Sequence, residues 1–537
     1  MLGFIIQAII GFFKTFFKLF IRVCKATGGW FFFSYIVLMS AFFTDFFDMG
    51  FLKTCKNLIR WANSGVITGV WFYGGLVIMI AISFRNIVRH VTGNQELKLR
   101  DIIFKGVHKV DTLKGDSSRL KTKTKAVSGV FFGKVGNNYI TKKETEDGHI
   151  LVIGGAGSGK SSCIAIPSIK TWQDRIFAID IKGELAEKSG RAAAIFNPCV
   201  NSDYGYDPYY LLHESENKVQ DAREIALCLI PMPADIKDPF WITSAQNLLT
   251  GCILHYHNLG LSFIETLEAI QTTPIADILD EIFQGSCTEA KMFVNQLIGL
   301  KSETLSGIFT ELSNNIMVFA TDPQLKKALG NPKAINPMLL ERGEDVFLQI
   351  PEHKLEQWRG LLSLIVQQFL KHFERRPDGT ATPVLFLLDE FARLGKIEVI
   401  SNGLATLRSK KVHICILTQS LAQIDAIYGK VQRQVIADNC SYKAILRATD
   451  AETQEYFSKL VGTYDKTKIT QTANYEQYTK LGKGTGKSVT TEEKRIIKPE
   501  EFAYLQDIVL LSPFGFARIE KAPYYQDKYF VEKRSVQ

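Results

Sequence analysis

Eight consecutive residues, Gly154-Gly-Ala-Gly-Ser-Gly-Lys-Ser161, carry the sharpest chemical signal in the chain. They satisfy the pattern G-x-x-x-x-G-K-[ST]. The apolar run His149–Ile153 before them and Cys163-Ile-Ala-Ile166 after them supply the strand and helix that the pattern requires. Glycines let the backbone curl until several N–H groups face one phosphate, with a helix N-terminus behind them. Gly154, Gly155, Ala156, Gly157, Ser158, Gly159, Lys160, Ser161 and Ser162 are therefore the expected cradle for a nucleotide, ATP with Mg²⁺. Lys160 adds positive charge for the β- and γ-phosphates, and the Ser161 hydroxyl completes a Mg²⁺ shell. A look-alike at Gly482–Ser488 has Leu481 in place of the first glycine and no apolar strand leading into it. It sits in Thr463–Arg495, whose Lys, Thr, Gly and Gln content predicts a mobile, solvated loop.

Hydrolysis asks for acids at the end of a neighbouring strand. Val384-Leu-Phe-Leu-Leu388 is the strongest buried-strand run in the chain and ends in Asp389-Glu390. Asp389 is expected to hold Mg²⁺ through its water shell and Glu390 to polarise the attacking water. Ile176–Ile179 ending in Asp180, Val346–Ile350, and His413–Leu417 ending in Thr418-Gln419 read as further strands of the same sheet. Ligands of such sheets gather at the C-terminal strand edges, where Asp180, Asp389 and Gln419 fall. Gln419 is either a γ-phosphate sensor or an ordinary turn residue. Ile508–Leu511 and Phe516–Ile519 read as strands that complete the sheet.

The elements that position these groups divide the chain. Between about Phe240 and Pro337 the apolar spacing is helical, as in Phe263–Ile270, Ile275–Phe283, Phe293–Leu300 and Leu305–Val318, with no β-rich run. The expected layout is a nucleotide-binding domain over 91–240 and 336–537 with an all-α domain inserted at 241–335. The N-terminal quarter differs. Ala26–Thr44 and Trp61–Phe84 contain no charged residue, and each is long enough to span a bilayer, which takes about 20 residues. They predict a transmembrane hairpin over 29–90, with spans near 29–47 and 63–84. Within 1–28, Lys14, Lys18, Arg22 and Lys25 recur at helical steps among Phe and Ile, as in a helix lying on the membrane surface. The outer flanks carry more Lys and Arg than the connecting loop, which places both termini and the nucleotide-binding domain in the cytoplasm of a multi-pass membrane protein.

Composition sharpens this division. The chain of 537 residues has a net charge of +9, yet residues 1–143 carry +15 and the remainder −6. The basic balance records membrane orientation more than nucleic-acid contact, and no broadly basic DNA-binding face is expected. Lys410 with Lys411, and the run Arg119–Lys125, are local candidates for DNA or lipid headgroups. Nine scattered cysteines with no C-x-x-C spacing fit buried thiols in a reducing compartment.

Beyond the phosphate loop, several segments resemble the type IV secretion coupling proteins, the TraG/TraD-like ATPases of bacterial conjugation. They are Gly129-Val-Phe-Phe-Gly133, Asp180-Ile-Lys-Gly-Glu184, Tyr206-Asp-Pro-Tyr-Tyr210, Asp238-Pro-Phe-Trp241, Leu388-Asp-Glu-Phe-Ala-Arg-Leu-Gly395 and Thr418-Gln-Ser-Leu-Ala-Gln423 with Ile427-Tyr-Gly429. One departure is Ile181, where relatives often carry proline. The resemblance implies an α/β, RecA-like P-loop NTPase with a mostly parallel central sheet, assembled as a homo-hexamer at the inner face of the cell membrane. It also implies that ATP hydrolysis feeds single-stranded DNA with bound relaxase to secretion channel proteins. Lys160, Ser161, Asp389, Glu390 and Gln419 match the family's nucleotide-site motifs. Arg408 falls where the family carries a candidate trans-acting arginine, with Arg393 and Arg447 as further candidates. Two other functions fit the same motifs: an FtsK-like double-stranded DNA translocase, and a non-hydrolysing, nucleotide-bound docking receptor. The second is disfavoured by Glu390, because binding alone needs no water-polarising acid.

Overall fold

A computed structural model describes residues 115–534 except 123–126, 201, 214, 234–235, 380–381, 398, 401–402 and 474–484. The expected surface helix and transmembrane hairpin lie outside the described residues. Among the described residues no helix is long and apolar enough to cross a membrane.

Sixteen strands among the described residues are numbered in chain order. Lys121–Thr122 (β1), Val130–Val135 (β2) and Asn138–Lys142 (β3) form a small antiparallel sheet. The central sheet contains Ile150–Gly154 (β4), Arg175–Ile179 (β5), Ala193–Phe196 (β6), Asp345–Leu348 (β9), Val384–Leu388 (β10), Val412–Thr418 (β11), Tyr442–Arg447 (β12), Ile508–Ser512 (β15) and Gly515–Ile519 (β16). Its order is β16-β15-β12-β4-β11-β10-β5-β9-β6. The run from β12 to β6 is parallel throughout. The C-terminal hairpin β15–β16 adds antiparallel at one edge, so the sheet is mixed. Gly205–Tyr206 (β7) pairs with Ala334–Ile335 (β8), and Thr463–Ala473 (β13) with Thr485–Arg495 (β14).

Burial on both faces explains why the parallel strands read as continuous apolar runs. In β4, Leu151 and Ile153 join one core while Ile150 and Val152 join the other; in β10, Val384, Phe386 and Leu388 oppose Leu385 and Leu387. One face is covered by the helix Ile166–Thr171 (α1), which contributes Ile166 and Ile169, and by the small sheet through Val130, Phe132 and Ile140. The other face carries a larger core that is continuous with the helical stretch of the chain. That stretch comprises Phe240–Asn258 (α2), Phe263–Thr272 (α3), Ile275–Gln284 (α4), Thr288–Val294 (α5), Ser302–Thr321 (α6) and Pro323–Leu329 (α7), followed by Arg359–Glu374 (α8) on the sheet itself. Ser262 caps α3 through a reciprocal pairing with Glu265. The expected helix at 293–300 is instead the end of α5, a 3-10 turn at Asn295–Leu297 and a bend at Gly299, whose φ of 77° suits only glycine.

Two expectations change. Ala193–Phe196 and Tyr442–Arg447 are two further strands of the sheet, the first a short apolar run and the second interrupted by Lys443. The segment Thr463–Arg495 is not a solvated loop throughout: β13 and β14 pair over eleven registered residue pairs. Lys487 and Ser488 of the look-alike motif lie opposite Gln471 and Thr470 in that ladder, so their backbone is extended and cannot curl around a phosphate.

Candidate functional site

The sheet order does the positioning. β4, β11, β10 and β5 are parallel neighbours, so the residues that follow their C-terminal ends emerge side by side: Gly155 after β4, Gln419 after β11, Asp389 after β10 and Asp180 after β5. The loop after β4 passes through Gly157 and Gly159 with φ of 69° and 99° before the chain enters a helix at Lys160. That helix opens with a wide π turn over Lys160–Ala165 and tightens into α1. A side chain on Gly154 would come within 2.4 Å of the Ser158 hydroxyl and 2.8 Å of Lys160 Cγ, so the strand end tolerates only glycine. The loop is anchored from outside by the Gly155 N–H, which donates to the Arg447 carbonyl at 3.1 Å.

Two buried polar groups of this loop face the same space. The buried Ser158 hydroxyl has no hydrogen-bond partner among the described residues. The buried Lys160 ammonium donates to the Gly154 carbonyl, 2.7 Å away. Burial lowers the Lys160 pKa, and the carboxylates of Glu390 and Asp389 work against that. An orphan hydroxyl, a buried cation and left-handed glycines in one loop fit the phosphates of a nucleotide.

A cavity of about 450 Å³ joins this loop to the acids. Gly155 to Ser162, Asp389, Glu390 and Gln419 line it. Asp389 is pushed up to about 6, first by burial and then by the charge of Glu390, against the pull of Lys160 and Lys182. Glu390 holds a left-handed backbone with φ of 48°, an uncommon state for a residue with a side chain. The Gln419 amide donates weakly to the Glu390 carboxylate at 3.5 Å, and Gln423 accepts from both the Gln419 N–H and the Thr418 hydroxyl, fixing the turn. A larger hollow of about 860 Å³ lies where α6 approaches α8 and contains none of these groups.

Other expected residues stand elsewhere. Asp180 is buried and spent on structure, accepting the Leu185 and Ala186 N–H groups and the Gln349 amide. Arg408 is exposed on the helix Leu404–Ser409 (α9), which leads into the N-terminal end of β11 and so stands at the opposite edge of the sheet; it does not line the cavity of its own chain. Lys410 pairs with Asp378 at 2.9 Å and Lys411 with Asp147 at 3.0 Å, so these lysines are not a free basic patch. Lys182 and Glu184 of the Asp180–Glu184 segment also line the cavity, as do Glu352 and the adjacent Tyr524 and Tyr525, which no motif marks. The tyrosines arrive because the chain after β16 runs back over the loop, and the Tyr524 N–H donates to the Ser162 carbonyl at 3.0 Å.

Comparison with known proteins agrees with this architecture. Residues 108–537 match the family described as Type IV secretory system Conjugative DNA transfer. Protein VirD4 of Agrobacterium fabrum is 25 % identical over 429 residues, covering 75 % of this chain and 63 % of that protein. The conjugal transfer protein TraG of the same organism is 23 % identical over 379 residues, covering 67 % and 57 %. The chain thus spans less than two thirds of the length of these relatives. Among solved structures, the unbound bacterial conjugative coupling protein TrwBdeltaN70 matches with a TM-score of 0.57 at 19 % identity, over 70 % of this chain and 84 % of that one. The plasmid coupling protein TrwB in complex with ADP and Mg²⁺ matches with a TM-score of 0.56 at 18 % identity, over 70 % and 85 %. At this level of identity the structural likeness carries the fold.

Proposed function

The chain belongs to the type IV secretory system conjugative DNA transfer family, and from that premise we propose that it is a membrane-anchored ATPase that couples ATP hydrolysis to the recruitment and translocation of single-stranded DNA with its relaxase. The observation that carries the reading is the convergence of Lys160, Asp389, Glu390 and Gln419 on one cavity from three adjacent strand ends. TrwB is known in complex with a non-hydrolysable ATP analogue and with ADP and Mg²⁺, and the donor set here suits both.

The loop N–H groups, Ser158 and Lys160 hold the phosphates, and the Ser161 hydroxyl with the Asp389 carboxylate would hold Mg²⁺. The ion supplies a Lewis acid that neutralises charge on the transferring phosphoryl group. Glu390, left-handed and directed to the cavity beside Gln419, takes the proton of the attacking water as a general base. Gln419 orients the carboxylate through its amide. A neighbouring copy in a ring of six contributes Arg408, whose place outside its own chain's cavity suits action in trans. The two charge-free stretches near the N-terminus anchor the ring in the cell membrane, with both termini and the ATPase domain cytoplasmic and secretion channel proteins as its partners.

The test is hydrolysis itself. The purified chain is expected to turn over ATP, faster with single-stranded DNA present, and Glu390→Gln is expected to bind nucleotide without turning it over. Equal stimulation by duplex DNA would favour a double-stranded DNA translocase, and nucleotide binding with no turnover under any condition would favour a docking receptor.

A further inference from the structure

Two cationic side chains besides the loop lysine, Lys182 and Arg393, line the cavity, and Arg393 is held by an acid of the same cavity. Arg393 follows the Asp389-Glu390 pair on the 3-10 turn Phe391–Leu394, and its guanidinium meets the Glu352 carboxylate at 2.7 Å. Both residues line the nucleotide cavity, and their side chains are 44 % and 63 % exposed. Glu352 opens a one-turn helix, Glu352–Lys354, which follows Pro351. At the other end of that turn Lys354 donates to Asp322 Oδ2 at 3.1 Å, in a much drier setting. Asp322 Oδ1 accepts the Gln324 and Leu325 N–H groups and so caps α7, the last helix of the helical stretch. The Lys354 ammonium also stands 5.0 Å from the ring centre of the buried Trp358. One short turn thus joins the lip of the cavity to a helix cap outside it.

We propose that Arg393 senses the terminal phosphate: it exchanges Glu352 for a nucleoside triphosphate, and the freed turn Glu352–Lys354 passes that state to the cap of α7. The inference rests on the nucleotide reading of the cavity. An exposed ion pair is worth little in water, so its exchange costs little. A triphosphate offers several negative charges to one carboxylate's single charge, and a planar guanidinium forks onto phosphate oxygens. A diphosphate lacks the outermost group, and Arg393 then stays with Glu352. Once released beside the phosphates, Glu352 is repelled by them, and it shares a single turn with the lysine that holds Asp322. The two arms have opposite character. The Arg393–Glu352 arm is exposed and easily broken, while the Lys354–Asp322 arm is half-buried and follows the turn.

The experiment uses the full-length chain, with ADP and a non-hydrolysable ATP analogue as probes. Arg393→Ala is expected to lower the ratio of triphosphate to diphosphate affinity about tenfold, the size of one lost charge-assisted bond. Glu352→Gln is expected to raise that ratio, because it removes the competitor; this second variant tests the idea even if the first fails to fold. Hydrogen exchange over residues 323–329 is expected to quicken with the triphosphate analogue and not with ADP, and Arg393→Ala is expected to abolish the difference. A ratio unmoved by both variants, or exchange that responds equally to both nucleotides, overturns the proposal. A wild-type chain that binds neither nucleotide would instead remove the parent reading of the cavity.

Discussion

The two edges of the central sheet gather charge in opposite ways. At the C-terminal edge, Lys160, Lys182, Asp389, Glu390 and Arg393 surround a cavity, and the polar Ser158 hydroxyl is left without a partner among the described residues. At the N-terminal edge, Lys142 is fully buried; its ammonium donates to His413 Nδ1 at 3.0 Å and to the Glu146 carbonyl. His149 there donates from Nε2 to the Leu404 carbonyl at 2.7 Å and accepts the Ile414 N–H at Nδ1, and burial holds it down at about 4, so it is neutral near pH 7. These contacts tie β3 to β11, and the residue that leads into β4 to the helix that bears Arg408. Each edge even holds one non-glycine residue in a left-handed backbone, Glu390 on one side and Lys411 on the other, the two such residues among those described. Charge that meets protein partners is structure; charge that meets a cavity is poised for a ligand.

Substitutions can break that contrast. The largest effect is expected from Glu390→Gln, which should cut ATP turnover by about 10²–10⁴, whereas Lys142→Met at the other edge should leave nucleotide affinity, read by titration calorimetry, unchanged. A loss of nucleotide binding on Lys142→Met would erase the distinction between the edges.

The pH dependence of stability should mirror the two edges. Asp389 has a folded-state pKa of about 6, raised by burial from 3.8, so its ionised form destabilises the nucleotide-free fold above pH 6. Asp389→Asn should therefore melt higher than wild type at pH 8, by about 2–3 kcal/mol of stability, with the gap closing between pH 6 and 4. Lys142 is lowered by burial from 10.5 to about 8, so its charged form destabilises the fold below pH 8. Wild type should gain about 3 kcal/mol relative to Lys142→Met as pH rises from 8 to 10.5, measured by urea titration at each pH. A pH-independent difference at either position would remove the burial argument there.

The smallest test sharpens the contrast most. Glycine relieves left-handed backbone strain, so Glu390→Gly and Lys411→Gly should each stabilise the chain by about 1 kcal/mol in chemical denaturation. Only the former should abolish turnover. The loss at Glu390 follows from removal of its carboxylate, whereas Lys411 serves only a tight entry into β11.

The same contrast separates what the sequence made legible from what it did not. The phosphate loop, Asp389-Glu390 and the strands before them could be read because loop, strand and helix lie within one short stretch. Tyr442–Arg447 escaped because its apolar residues are interrupted by Lys443 and bounded by Arg447, although it pairs with β4. The ribbon of β13 and β14 was misread because Lys and Gly suggest solvent, while the many threonines favour a strand. Glu352, Tyr524 and Tyr525 reach the cavity only through tertiary folding, so no local pattern marks them. Lys410 and Lys411 looked like a basic patch because their partners, Asp378 and Asp147, are distant in sequence.

The place of β4 within the sheet has a consequence for how the protein is made. The strand that carries the phosphate loop lies between β11 and β12, so residues 150–154 find their neighbours only when residues 412–418 and 442–447 have been synthesised. A ribosome must extend the chain across the whole helical stretch before the loop can close. Until then the apolar strand Ile150–Gly154 has no sheet to enter, and such long-range parallel pairing is intrinsically slow and prone to aggregation. Truncations that end before β12 should leave an insoluble product rather than a smaller nucleotide-binding domain.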